Sequence, residues 1–197
     1  MTRVVVFVSG RGSNLAAILK AWKSGILRSQ CDIVGVVSNR ATAGGITIAQ
    51  AAGLSTIVRE AVPGQNRAAY DKALVEAMAP WSPQVIVLAG FDRILSPVLV
   101  QAFPNRIVNI HPADPSEFRG LHGYQWAYEQ KLPCTKVTVH LVDEGVDTGP
   151  VLEQREVDLT GVESLADVEA RGLAVEHELY PRALARFFST IEEHKEF

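Results

Sequence analysis

The sequence predicts an α/β fold: a doubly wound, mostly parallel sheet with an antiparallel C-terminal hairpin strand pair and a long C-terminal helix. Three observations carry it. Up to His111, short runs rich in Val and Ile alternate with segments of helical period, which is the pattern of βαβ units. The first such run leads straight into a glycine-rich turn and a helix pattern. After His111 the alternation stops: two strand-like runs flank an acidic turn, and a long helical pattern follows.

Residues 3–8 are Arg3 followed by a run of valines with one Phe, a strand buried on both faces. The turn Ser9-Gly10-Arg11-Gly12-Ser13-Asn14 precedes Leu15, Ile18, Leu19 and Trp22 at helical spacing. Unpaired N–H groups at such a helix start attract an anion. There is no Gly-Lys-Ser/Thr, so this is not a Walker loop. Leu15 stands where a dinucleotide fingerprint needs a small residue, and Ser38-Asn39-Arg40, after a strand at 32–37, lacks the acidic ribose ligand. A single phosphate fits better; the alternative is a plain tight turn with Ser13 or Asn14 as N-cap.

Residues 41–52 read as a loop and a short helix broken by Gly44-Gly45, and 55–58 as a weak strand. A helix over 68–78 turns Leu74, Ala77 and Met78 inward. The strand at 83–89 feeds Gly90-Phe91-Asp92-Arg93-Ile94-Leu95, an apolar loop suited to a flat, partly aromatic ligand. Ser96-Pro97 opens the next helix.

Residues 106–111 form the strand that organises the chain. Asn109 and His111 lie two apart, so both side chains leave one face. Pro112 ends the ladder, leaving an amide and an imidazole at the carboxyl end of a core strand, where open α/β sheets bind ligands. The polar loop at 113–122 begins a lid expected over 115–131. A short helix at 123–130 and a strand at 135–142 follow, with His140 read as a packed strand residue. The turn at 143–150 carries three carboxylates without the spacing of an EF-hand loop. A strand at 151–159 pairs back, and a helix spans 164–188, kinked at Pro181, with Glu176-His177 as an exposed pair unless they serve a ligand.

The chain's 197 residues suit one domain. A net charge of -3 offers no basic stripe, so no nucleic-acid partner is expected. Cys31 and Cys134 are expected as free thiols of a cytoplasmic protein. No cationic leader or bilayer-length apolar run is seen, so no membrane partner is expected.

Five segments, Ser9-Gly-Arg-Gly-Ser-Asn14, Leu88-Ala-Gly-Phe-Asp-Arg-Ile-Leu-Ser96, Asn109-Ile-His-Pro112, Gly120-Leu-His122 and Asp147-Thr-Gly-Pro150, resemble in order and spacing the folate-dependent formyltransferase family. The glycine turn and Glu176-His-Glu-Leu-Tyr-Pro181 resemble its glycinamide ribonucleotide branch. The resemblance implies a single formyltransferase domain over 1–197, with a phosphate-binding half at about 1–110 and a folate and catalytic half at about 85–190. It implies small-molecule substrates only: 10-formyltetrahydrofolate as co-substrate and glycinamide ribonucleotide as acceptor, in purine biosynthesis, by a monomer or homodimer. By position, Asn109, His111 and Asp147 match the catalytic set, Gly12, Ser13 and Asn14 the phosphate cradle, and Glu176 a ribose or glycinamide contact. Arg67, Asp92, Arg93, Ile94, Leu95, Asn109 and Val142 match the folate site.

The chemistry fits these residue types. An amine attacking a formyl carbon needs oxyanion stabilisation and proton movement, not an enzyme nucleophile or a metal. Asn109 donates through its amide, a cationic His111 donates and serves as acid, and Asp147 favours the imidazolium. The segment Ala113-Asp114-Pro115-Ser116 departs from the family's Ser-Leu-Leu-Pro, and Asp92 from an apolar residue. These changes are expected to put one carboxylate near His111 and another at the folate pocket's mouth. A non-catalytic nucleotide-binding module is the rival reading; it explains the glycine turn but not Asn109, His111 and Asp147 together.

Overall fold

The computed structural model describes residues 1–193. Strands β1 (Thr2–Val8), β2 (Cys31–Ser38), β3 (Thr56–Val58), β4 (Val85–Leu88), β5 (Ile107–His111), β6 (Cys134–Leu141) and β7 (Val151–Asp158) form one sheet in the order β3-β2-β1-β4-β5-β6-β7. The first five strands run parallel, and β6 and β7 join as an antiparallel pair beside β5. The chain winds outward from β1 to β3, then crosses back to place β4 on the other side of β1. That reversal puts the switch point between β1 and β4, where a crevice opens beyond the strand ends.

Helices α1 (Ser13–Ser24), α2 (Gly44–Ala51), α3 (Arg67–Met78), α4 (Pro97–Ala102), α5 (Gly123–Glu129) and α6 (Leu165–Glu193) cover the sheet. Alternate residues of β1 enter different cores. Val4, Val6 and Val8 pack with Leu15, Ile18, Ile46, Ala127 and Leu179 from α1, α2, α5 and α6. Val5 and Phe7 pack with Tyr70, Leu74, Met78 and Leu99 from α3 and α4. Burial on both faces is why β1 and β4 are continuous apolar runs rather than alternating ones. Tyr70 joins the inner face of α3, whereas Ala77 is only half-buried. Cys31 and Cys134 are free, and burial pushes the Cys31 thiol up to about 12. Among the described residues no helix is long and apolar enough to cross a membrane.

The start of α1 differs from expectation. Neither Ser13 nor Asn14 caps it; Gly12 does, with φ +83 and no side-chain cap. A Cβ on Gly12 would lie 2.6 Å from the Gly45 Cα, so the turn and the start of α2 meet backbone to backbone. Gly44 and Gly45 therefore open the second helix rather than break it, because only glycines admit this approach. Gly12→Ala is expected to destabilise the fold by roughly 2–4 kcal/mol, through left-handed strain and overpacking. Urea unfolding checks this; a loss under about 0.5 kcal/mol, the usual range for neutral surface changes, contradicts the close approach.

Candidate active site

A cavity of about 650 Å³ lies beyond the carboxyl ends of β4 and β5. Segment 90–95 forms one wall, Asn109 to Pro112 the floor, and Gly120 to His122 with parts of the 142–147 turn the other wall. The wall segment is pinned at both ends. The Asp92 N–H donates to Ser9 Oγ at 3.0 Å, and the Ser96 N–H donates to the buried Asp71 carboxylate at 2.5 Å. Between these pins the backbone amides and carbonyls of Arg93, Ile94 and Leu95 make no hydrogen bond among the described residues. Backbone groups seldom go unpaired without a ligand or water to meet them. The Arg93 guanidinium lies 4.2 Å above the Tyr70 ring, and Arg67 stands exposed on the same wall of the cavity.

The floor carries the polar groups. Asn109 and His140 are directly opposed across β5 and β6, and the Asn109 Nδ2 lies 3.2 Å from the His140 Nε2. Asp147 is the hub. Its Oδ2 accepts from the Gly120 N–H at 2.7 Å and sits 3.4 Å from the His111 Nδ1. Its Oδ1 lies 3.3 Å from the His140 Nε2 and accepts from the Asn109 amide at 3.5 Å. The backbone at Asp147 is left-handed, φ +50, a conformation that a short polar side chain tolerates. The other carboxylates of the turn look elsewhere: Asp143 accepts from Gly145 and Thr148, and Glu144 from Gln101.

His111 is 3% exposed, and both of its ring nitrogens face acceptors. Nε2 meets the Phe118 carbonyl at 2.9 Å, and Nδ1 meets Asp147. Only an imidazolium satisfies both with hydrogen. Burial nonetheless pulls its pKa below the ordinary histidine value, with Asp147 and the Phe118 carbonyl pushing back. For Asp147, burial works to raise the pKa. Hydrogen bonds from His140 and Gly120 and the facing His111 outweigh it and hold the carboxyl below its usual range.

The two departing carboxylates are committed to basic partners, although Asp92 lines the cavity and the Asp114 charge still bears weakly on His111. Asp92 pairs with Arg40 and accepts from Asn39 at 2.8 Å, so it braces the β2 loop. Asp114 accepts from Ser116 and pairs with Lys136 at 2.8 Å, and these partners, Lys136 foremost, hold its carboxyl well below the usual carboxylate range. Asp114 thus ties the start of the 113–122 loop to β6. In that loop Phe118 stacks on Trp126 at 5.0 Å and lies parallel to the His111 ring at 6.5 Å. Asp114→Asn is expected to speed amide exchange across residues 113–122 by about 2- to 5-fold, as loss of one ion pair near the surface implies. Unchanged exchange there removes the tether.

Gly12, Ser13 and Asn14, the residues expected to cradle a phosphate, lie outside this cavity, at the start of α1. Ser13 is half-buried there, while the Asn14 side chain turns inward. Its amide donates to Glu176 Oε2 at 2.5 Å, and its own Oδ1 is buried without a partner. Glu176 is not part of an exposed helical pair; it is 5% exposed, on the α6 face directed at α1 and α5.

Residues 2–184 match the family model for formyl transferase. The chain belongs to the formyl transferase family. It is 38% identical over 184 residues to phosphoribosylglycinamide formyltransferase of Escherichia coli (strain K12), covering 93% of this chain and 86% of that one. It is 31% identical to the enzyme of the same name from Bacillus subtilis (strain 168), covering 93% of each. The crystal structure of glycinamide ribonucleotide transformylase 1 from Symbiobacterium toebii superposes with a TM-score of 0.91 at 36% identity, over 96% of this chain and 89% of that one. This formyl transferase chain thus shares both sequence and fold with those relatives along nearly all its length.

The structure therefore gathers Asn109, His111 and Asp147 at one end of the cavity, with Asp92 to Leu95, Arg67 and Val142 around it. It gathers Asn14 and Glu176 at a second place. Two further residues join these groups although the sequence pattern gives neither of them a site role. His140 is packed, at 2% exposure, yet it also holds Asp147. Its signal was its place on the polar face of its strand. Tyr124, which bonds Glu176, left no signal, since an aromatic in a short helix reads as core.

Proposed function

We propose that this protein transfers the formyl group of 10-formyltetrahydrofolate to the amine of glycinamide ribonucleotide, a step of purine biosynthesis. The observation that carries the reading is the Asp147 carboxylate gripping His111 and Asn109 at the floor of a cavity walled by unpaired backbone. The free amides and carbonyls of residues 93–95 suit the hydrogen-bonding edge of a pterin, with Asp92, Val142 and Asn109 around it and Arg67 available to the acidic tail. Gly12, Ser13 and Asn14 offer the α1 N-terminus to the substrate phosphate. Glu176 and the unpartnered Asn14 Oδ1 form an acceptor pair for ribose hydroxyls or the glycinamide amine.

In the reaction the amine nitrogen bonds to the formyl carbon, and the carbonyl electrons move onto oxygen. Collapse of this tetrahedral intermediate breaks the carbon–N10 bond, and the proton lost by the amine ends on N10. Asn109 and the His111 Nε2–H donate to the oxyanion. Phe118's carbonyl now accepts from that Nε2, so it occupies the direction a formyl oxygen would take, and the 113–122 loop withdraws as the folate enters. Asp147 keeps the imidazolium available as the acid for N10. The test is purified protein with 10-formyltetrahydrofolate, with and without glycinamide ribonucleotide. Donor loss only with both supports the reading. Donor loss without the ribonucleotide makes this a hydrolase, and no loss under either condition leaves a binding module.

A further inference from the structure

Tyr124 opens α5, immediately after the loop that covers His111. Its hydroxyl donates to Glu176 Oε1 at 2.5 Å, while the Asn14 amide takes Oε2 at the same distance. Three helices, α1, α5 and α6, therefore converge on one buried carboxylate. The Tyr124 ring fills a notch in α6 at Gly172, where a Cβ would stand 2.1 Å from the ring's Cζ. The phenol can reach Glu176 because that position of α6 has no side chain. A carboxylate offers about four acceptor sites. With one taken on each oxygen, the remaining sites are left for a ligand, beside the unpartnered Asn14 Oδ1.

We propose that Tyr124 is a positioning residue for the ribonucleotide: its hydroxyl fixes the Glu176 carboxylate toward the substrate's donor groups and ties it to the helix that follows the 113–122 loop. The inference rests on the reading that Glu176 contacts the ribonucleotide. The competing account is packing alone, in which the ring fills the Gly172 notch and the hydroxyl does nothing for substrate.

Charge separates the two. Burial raises the Glu176 pKa, and the bonds from Tyr124 and Asn14, with His177 nearby on α6, oppose that rise. The other group facing it is Tyr180 of α6, whose phenol stays neutral because burial, and then Glu176, push its pKa well up. Glu169 of α6 bears on the Tyr124 phenol, behind burial and Glu176 itself. Removing the Tyr124 hydroxyl takes away a donor that favours the anion, so Glu176 accepts a proton at higher pH. A protonated Glu176 loses an acceptor for the substrate. The inflection at which kcat/KM for the ribonucleotide falls with falling pH then moves to higher pH.

The experiment compares Tyr124→Phe, Glu176→Gln and the double variant, with steady-state kinetics run below each unfolding midpoint measured by circular dichroism. Tyr124→Phe keeps the ring in its notch. It is expected to raise KM for glycinamide ribonucleotide about 10-fold, the scale of one hydrogen bond to a charged group, with KM for the folate within about twofold. Calorimetric titration of the ribonucleotide into the same variant gives the same loss without turnover. The double variant adds nothing beyond Glu176→Gln, because the hydroxyl acts through the carboxylate. If Glu176→Gln raises the ribonucleotide KM while Tyr124→Phe matches wild type, Tyr124 only packs and the proposal fails. If the two effects multiply, the hydroxyl acts elsewhere and it also fails. If Glu176→Gln leaves the ribonucleotide KM unchanged, the Glu176 reading itself is wrong.

Discussion

Asp147→Asn is expected to lower kcat by about 10²-fold or more, the scale of losing acid–base assistance, while Asp114→Asn changes kcat by no more than a few-fold. The two carboxylates compete for His111 in sequence, since Asp114 is only three residues away. Geometry separates them. Asp147 lies 3.4 Å from the His111 Nδ1, whereas Asp114 is committed to Lys136 at 2.8 Å and to Ser116. The pH dependence follows from signs. Burial lowers the His111 pKa, and Asp147 is the largest influence raising it. Without that charge the pKa falls further, so the imidazolium is lost at lower pH as pH rises. The inflection assigned to His111 in the kcat profile therefore moves downward in Asp147→Asn and moves far less in Asp114→Asn, whose charge is the weakest of the influences acting on it. Parallel pH–rate profiles of the three proteins check this. A large loss in Asp114→Asn with little in Asp147→Asn would show that the carboxylate serving His111 is Asp114.

The fold was legible because its signals are local. Valine runs buried on both faces and a proline one residue past His111 each follow from the residue's own backbone preference or hydropathy. The pairing of Asn109 and His111 on one face needed only the two-residue repeat of a strand. What stayed hidden depends on partners far along the chain. Ser13 and Asn14 look like caps, but the turn is shaped by Gly45, more than thirty residues away, which lets Gly12 take the left-handed cap position. Glu176 looks like a solvated helical residue, and only packing of α6 against α1 and α5 buries it. Asp92 does line the cavity and Asp114 does bear on His111, but the ion pairs that orient them, to Arg40 and Lys136, lie far along the chain and leave no local signal. His140 was underrated because its cross-strand partner Asn109 is set by the β5–β6 register, which no local pattern encodes.

Asn109→Ala is expected to lower kcat by about 10²- to 10³-fold, the cost of removing one oxyanion donor, with KM for the ribonucleotide nearly unchanged and KM for the folate, which Asn109 also flanks, raised by no more than a few-fold. Asn109 sits at the carboxyl end of β5, half-buried, on the cavity floor. Its amide faces the His140 Nε2 and Asp147 Oδ1 at 3.2 and 3.5 Å, the second a long contact. Those partners do not depend on it, because His140 and Asp147 already lie 3.3 Å apart and Gly120 holds Asp147 from the other side. The Asp147 carboxylate should therefore keep its place in Asn109→Ala, and the loss should belong to the transition state. A donor used only as charge develops on the formyl oxygen lowers kcat and kcat/KM together. Asn109→Asp sharpens the point. It is nearly isosteric, yet it sets a second carboxylate about one hydrogen-bond length from Asp147 and turns a donor into an acceptor. Two such groups cannot both ionise cheaply. Residual activity in Asn109→Asp should fall as pH rises and the second carboxyl ionises, whereas Asn109→Ala should keep the wild-type profile at lower height. Single-turnover kinetics with saturating substrates separate the step concerned. A raised folate KM with kcat intact in Asn109→Ala would make Asn109 a ground-state contact to the folate and leave the oxyanion to His111 alone.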